Sequence, residues 1–105
     1  MMIAKVTGSL VATQKVETMV GHKLMLVEIY RVDPATRSSL VSSGRMLVAV
    51  DTVGAGEGEM VLITQGSSAR LTPQTKTLPV DTVIIGILDT VHVAQTCVYN
   101  KEQTM

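Results

Sequence analysis

Ser67 and Ser68 are the side chains in this 105-residue chain that first suggest nucleophilic chemistry. A serine nucleophile needs a base within hydrogen-bond reach and a third group to orient that base. The available bases are His22 and His92. His92 alternates with Val91 and Val93 and reads as a strand residue, whereas His22 falls in a polar connection. Nothing in the spacing ties either to a serine. A nucleophile elbow, Gly-x-Ser-x-Gly, would need a glycine where Arg70 stands. A small hydrolase using Ser67 or Ser68 therefore ranks last among the functional readings. His22, His92 and Cys97 lack the short paired spacing of a zinc site, so no metal and no cofactor is expected. Asp51, Asp81 and Asp89 flank strand ends. They read as turn and strand-end caps, or as ion-pair partners of Arg45 or Arg70.

Gly54-Ala55-Gly56-Glu57-Gly58 invites a phosphate-loop reading. It has neither the Gly-Lys-Ser/Thr ending of a P-loop nor the spacing of a dinucleotide fingerprint, and Glu57 and Glu59 would repel a phosphate. Glycine tolerates positive φ and close backbone approach, so three at alternate positions mark a tight turn or bulge. Gly54, Gly56, Gly58 and Glu59 are the expected turn-shaping residues. A second turn opens at Gly66 and closes on Arg70, with room for one short helical turn capped by a serine.

Composition removes further classes. Nine basic and nine acidic side chains cancel, which leaves no long-range field to collect nucleic acid or an anionic membrane. Tyr30 and Tyr99 are the only aromatics, too few for a stacking platform. A single cysteine excludes an intrachain disulfide framework. No secretory signal is visible, and no apolar run approaches the roughly 20 residues that span a bilayer. The expectation is a soluble, cytoplasmic, single-domain protein.

The elements that must position these residues are strands. Ile3–Thr13 alternates apolar and polar residues, with Gly8 marking a bulge. Leu24–Val32 and Arg45–Thr52 are apolar on both faces. Met60 to Thr64 or Gln65 forms a fourth strand, and Val83–Val93 a fifth, favoured over helix by its β-branched content. Gln14–Lys23, Asp33–Gly44 and Thr72–Pro79 read as loops. The predicted fold is all-β: a small five-stranded antiparallel barrel of the oligonucleotide-binding type, or a related sandwich. Residues 1–93 make the barrel domain and residues 94–105 a polar tail or arm, in part disordered. Such a barrel has one interior, so the second apolar face of the central strands requires a cover. Another copy of the chain is the expected one.

One set of motifs, in order, resembles a known family. It comprises Ile3-Ala4-Lys5-Val6-Thr7-Gly8 with Val11-Ala12-Thr13-Gln14-Lys15, then Gly21-His22-Lys23-Leu24. The strongest stretch is Val48-Ala49-Val50-Asp51-Thr52-Val53-Gly54-Ala55-Gly56-Glu57-Gly58-Glu59. Val61-Leu62, Gly66-Ser67-Ser68-Ala69-Arg70, Pro79-Val80-Asp81 and Gly86-Ile87-Leu88-Asp89-Thr90-Val91 follow. Together they resemble the pentameric vertex proteins of bacterial microcompartment shells, the family of the carboxysome and ethanolamine-utilisation pentamers. The resemblance implies a five-stranded barrel, a cyclic homopentamer and a structural, non-enzymatic role beside hexameric shell proteins, with no nucleic-acid or membrane partner. It implies that Ser67, Ser68 and Arg70 serve subunit contacts, and that the glycine turn shapes the ring and its narrow centre. The alternative is an oligonucleotide-binding-type barrel acting as a nucleic-acid or other binding module, which a salt-sensitive complex with single-stranded DNA would reveal.

If Gly56 holds a positive φ, Gly56→Val distorts the turn, because a β-branched residue is poorly tolerated there. Unchanged melting and assembly of that variant would show the glycine to be incidental.

Overall fold

A computed structural model describes residues 1–12, 21–66, 71 and 81–103. Among the described residues there are seven strands: β1 (Met2–Leu10), β2 (Lys23–Val32), β3 (Leu40–Asp51), β4 (Met60–Gln65), β5 (Thr82–Ile87), β6 (Thr90–Val93) and β7 (Thr96–Asn100). The first five close into a barrel in the order β1-β2-β3-β5-β4, and the last two form a separate hairpin.

The expected alternation is what closes the barrel. Ala4 and Val6 of β1, Met25, Val27 and Ile29 of β2, Ala49 of β3, Val61 and Ile63 of β4 and Ile84 of β5 form one buried core, joined by Ala55 from the glycine turn. Val50 and Val83 form a second buried pair, against which Leu24 and Ile85 pack. The bulge expected at Gly8 is observed. Val6 pairs with Val27 and Gly8 with Leu26, so Thr7 is the extra residue, and its hydroxyl donates to the Leu26 carbonyl.

The ladders are not all antiparallel, as the sequence reading had them. Four of the five contacts are, but β3 and β5 run parallel, paired at Val50↔Val83 and Asp51↔Ile84. The reason is parity: strand direction cannot alternate all the way round a closed ring of five. One neighbouring pair must be parallel, and here it is the shortest ladder in the barrel. Its few bonds are supplemented by the Thr52 hydroxyl, which donates to the Ile84 carbonyl at 2.7 Å.

Three boundaries also move. β1 ends at Leu10, short of the expected Thr13, and Val11 and Ala12 lie outside it. β3 begins at Leu40 rather than Arg45, because the Ser-rich stretch read as loop continues the β2 ladder through Ser42, Val41 and Leu40. A register shift after Glu28 absorbs the irregularity, and Gly44 takes a φ of 79°. The expected strand Val83–Val93 is two strands. Its barrel part ends where β4 begins: the Leu88 amide donates to the Met60 carbonyl, and beyond it β4 has no residue left to pair. The chain then leaves the barrel as β6. β7, within the segment read as a polar tail, folds back on it, turning through Ala94 and Gln95 at positive φ. A 3-10 turn at Lys101–Gln103 follows.

Ile63 is fully buried in the main core. Ile63→Ala is expected to lower stability by about 2–5 kcal/mol. Met46→Ala, on the outer face, should change the unfolding free energy of an isolated subunit by less than about 0.5 kcal/mol. Urea melts of the two variants check the contrast.

Candidate functional site

The glycine turn is built around one carboxylate. The side chain of Asp51 is 1% exposed. It accepts hydrogen bonds from the backbone amides of Val53 (3.0 Å), Gly54 (3.0 Å) and Ala55 (2.8 Å). Aspartate does this readily, since its short side chain reaches amides two to four residues on. The Lys23 ammonium lies 3.9 Å away and donates to the Ala55 carbonyl at 3.5 Å. Asp51 is thus a turn cap, as expected, with Lys23 as its cation rather than Arg45.

The glycines divide the work unequally. Gly54 and Gly58 hold φ values of 80° and 88°, the left-handed region in which a Cβ is strained. Gly56 is outside that region, so the premise of a distorting Gly56→Val does not hold. A Cβ on Gly56 would sit 3.4 Å from the Glu59 carboxylate, an ordinary contact. What Gly56 contributes is its amide, which donates to Glu59 Oε1 at 2.6 Å. The turn is tied to β1 through Gly58 N–H to the Val6 carbonyl and Val6 N–H to the Glu59 carbonyl.

Glu59 also holds the hairpin. Its Oε2 lies 2.8 Å from the Lys101 ammonium, just past β7, and the Lys101 amide donates to the Asp89 carbonyl. One carboxylate therefore joins the turn to the C-terminal hairpin. The Lys101 hydrogen bond, then that of Gly56, holds the Glu59 carboxyl below its ordinary value, with burial opposing. The Lys101 ammonium is raised, first by its hydrogen bond to Glu59 and then by that carboxylate's charge.

Among the described residues the other sequence candidates are not assembled into a catalytic group. Ser67, Ser68 and Arg70 lie outside the described residues, as does the expected helical turn after Gly66. His92 and Cys97 face each other across the hairpin, both exposed, a pairing that linear spacing did not suggest. His22 precedes β2. Among the described residues no three histidine, cysteine or acidic side chains gather in a way that could hold a metal ion. Sequence reasoning missed Lys23 and Lys101; only the fold brings them to carboxylates 28 and 42 positions away.

The second feature is a surface. Outward residues of β1, β2 and β3 form an apolar patch in which Leu10 pairs with Leu24 and Leu26 with Val48, while Lys5 and Glu28 on the same side are charged and Val50, across from Leu24, is buried. Met46 and Val48 are 48% and 47% exposed in the single chain. These are the second faces of the doubly apolar strands.

Comparison with known proteins gives one consistent answer. The sequence model described as "Ethanolamine utilisation protein EutN/carboxysome" matches residues 1–89. The shell vertex protein PduN of Salmonella typhimurium is 43% identical over 86% of this chain and 97% of its own length. The shell vertex protein EutN of Escherichia coli K12 is 39% identical over 96% of this chain and 100% of its own. Among solved structures, Gloeobacter violaceus CcmL superposes with a TM-score of 0.85 at 40% identity, covering 98% of this chain and 100% of that one. The pentameric shell protein GrpN of Rhodospirillum rubrum gives 0.73 at 39% identity, covering 89% and 98%.

Gly58→Ala is expected to cost about 1–2 kcal/mol through its left-handed backbone, and Gly56→Ala less than about 1 kcal/mol; denaturant melts read both. Equal losses would refute the division between them. For the ion pair, a lowered carboxyl stabilises above its unfolded value of about 4.3, and that contribution disappears as pH falls through the folded value. A raised ammonium stabilises below about 10.4 and loses its contribution as pH rises through the folded value. The pair is complete at neutral pH and opens in acid and in strong base. Lys101→Met should therefore raise the titration midpoint of Glu59, followed by carboxyl NMR shifts, and an unmoved midpoint would show that Lys101 does not act on it.

Proposed function

The chain belongs to the EutN/CcmL family of ethanolamine-utilisation and carboxysome proteins, and from that membership we propose how its geometry serves as a structural tile at the five-fold vertices of a bacterial microcompartment shell. The relatives are shell vertex proteins and not enzymes, and GrpN is a pentamer. This protein accordingly works in the shell, inside the cytoplasm, as a homopentamer without catalytic chemistry.

The observation that carries the assembly is the outer apolar face of β1–β3. Five copies related by rotation bring one such face against a different face of the next copy, a heterologous contact that closes when the rotation is one fifth of a turn. Burying Leu10, Leu24, Leu26, Met46 and Val48 supplies the driving force, at roughly 25 cal/mol for each Å² of apolar surface removed from water. The glycine turn, held rigid by Asp51, then gives each subunit a compact edge near the ring axis, and Ser67, Ser68 and Arg70 add polar contacts between subunits. These residue roles are supported by the sequence resemblance.

Geometry assigns the place of such a ring. Six-fold tiles pack into flat sheets, and a closed polyhedron needs five-fold tiles at its corners. The partners are hexameric shell proteins that surround the vertex. Balanced charge and the scarcity of aromatics argue against nucleic acid and membranes as partners. The nucleic-acid-binding alternative gains no support from a basic groove.

Native mass spectrometry at micromolar concentration should report five copies per particle. A double substitution, Met46→Asp with Val48→Asp, is expected to give monomers that keep the β-sheet circular-dichroism spectrum, since both side chains are outside the barrel core. A monomeric or dimeric parent protein, or a variant that still forms rings of five, would overturn this assignment of the interface.

A further inference from the structure

The two tyrosines, the only aromatic residues of the chain, come from strands 69 positions apart and line one cleft. The cleft lies between the outer side of the barrel and the C-terminal hairpin. Lys5 and Tyr30 come from β1 and β2, Met60 from the start of β4, and Val98 and Tyr99 from β7, with Leu40 and Gly58 completing the wall. Its volume is about 210 Å³, below the roughly 300–1,000 Å³ of drug-sized sites. It suits one small molecule or one side chain. The hairpin that forms half of it is a sheet separate from the five-stranded barrel, so the cleft lies outside the barrel's own interior.

The lining has a definite chemistry. Lys5 makes no ion pair with any described residue. Glu28, directly across the β1–β2 ladder, instead accepts a hydrogen bond from the Ser42 hydroxyl. The neighbouring Glu59 is neutralised by Lys101. Among the described residues no carboxylate comes within ion-pair distance of the Lys5 ammonium, which borders a cleft with two phenols, which can donate hydrogen bonds, and with the aliphatic side chains of Leu40, Met60 and Val98. An ammonium and phenolic donors favour an anion, and the aliphatic wall favours a short hydrocarbon body beside it.

We propose that this cleft binds an aliphatic carboxylate, with Lys5 holding the carboxylate and Val98, Met60 and Leu40 the hydrocarbon chain. Two sources offer that chemistry: a free monocarboxylate, and an acidic side chain with its methylene stem from an adjoining shell subunit. The site goes beyond the vertex role and does not require it.

The test uses the full-length chain in its assembled state, with hexanoate as probe. Because there is no tryptophan and both tyrosines line the cleft, intrinsic tyrosine fluorescence reports occupancy directly. Hexanoate is expected to change the emission saturably, and hexanol and hexylamine at the same concentrations are not. Lys5→Met should weaken hexanoate at least about tenfold, the loss of one charge-assisted hydrogen bond. Tyr99→Leu, on the separate hairpin, should weaken it while leaving the barrel's melting unchanged. This pattern assigns a free carboxylate. A ring that ignores hexanoate but dissociates in native mass spectra on Lys5→Met assigns an acidic side chain of the adjoining subunit. The proposal is overturned if hexanoate gives no saturable response and Lys5→Met rings stay intact, or if hexanol and hexylamine act as hexanoate does. A ring of five in the parent protein would survive either failure, so the vertex reading stands or falls separately.

Discussion

Closing an odd number of strands is the constraint on which the rest of this structure depends. Five strands alternating in direction meet at one parallel seam, β3 against β5. Parallel neighbours cannot be joined by a tight hairpin and need a longer crossover. Here the crossover carries the glycine turn, β4 and the stretch beyond it. The seam is paired at only two positions, and the surroundings reinforce it: Val50 and Val83 are buried together, and the Thr52 hydroxyl crosses to Ile84. Asp51 sits at this seam and directs its carboxylate into the turn that follows. Barrel closure and turn shape thus meet at adjacent residues.

The turn in turn fixes what lies at each end of it. Ala55 is fully buried and belongs to the barrel core, so the turn is a lid on the barrel as well as a connection. Gly58 and Glu59 exchange backbone hydrogen bonds with Val6. Glu59 then reaches Lys101 and places the hairpin. An ion pair this exposed contributes little free energy. Its consequence is orientation: it fixes where a two-stranded hairpin, marginal by itself in water, stands relative to the barrel.

This organisation suits a tile better than an enzyme. Among the described residues no buried side-chain polar atom lacks a hydrogen-bond partner. Polar groups are spent on turns, seams and strand ends, while Leu24, Leu26, Met46 and Val48 on the outward side of β2 and β3 keep the apolar character of an interior. A surface of that kind belongs against another protein surface.

Much of this was legible in the chain itself. Alternation in β1, β-branched runs in β4 and β5 and the bulge at Gly8 are local properties of residues and their neighbours, so they can be read in order. The doubly apolar pattern of Leu24–Val32 already required a cover beyond one barrel, and the ordered motifs from Ile3 to Val91 carried the family resemblance. Tertiary structure alone decided the rest. The parallel seam follows from closing a ring of five, a property of the whole that no strand contains. Gly54 and Gly58, but not Gly56, take positive φ, because Asp51 gathers the amides on one side and Val6 holds the other. Lys23 meets Asp51 and Lys101 meets Glu59 across long stretches of sequence. The two tyrosines share a cleft because a hairpin, read in sequence as strand end and polar tail, folds against the barrel. Local pattern determined which residues are buried, and closure of the barrel determined which of them meet.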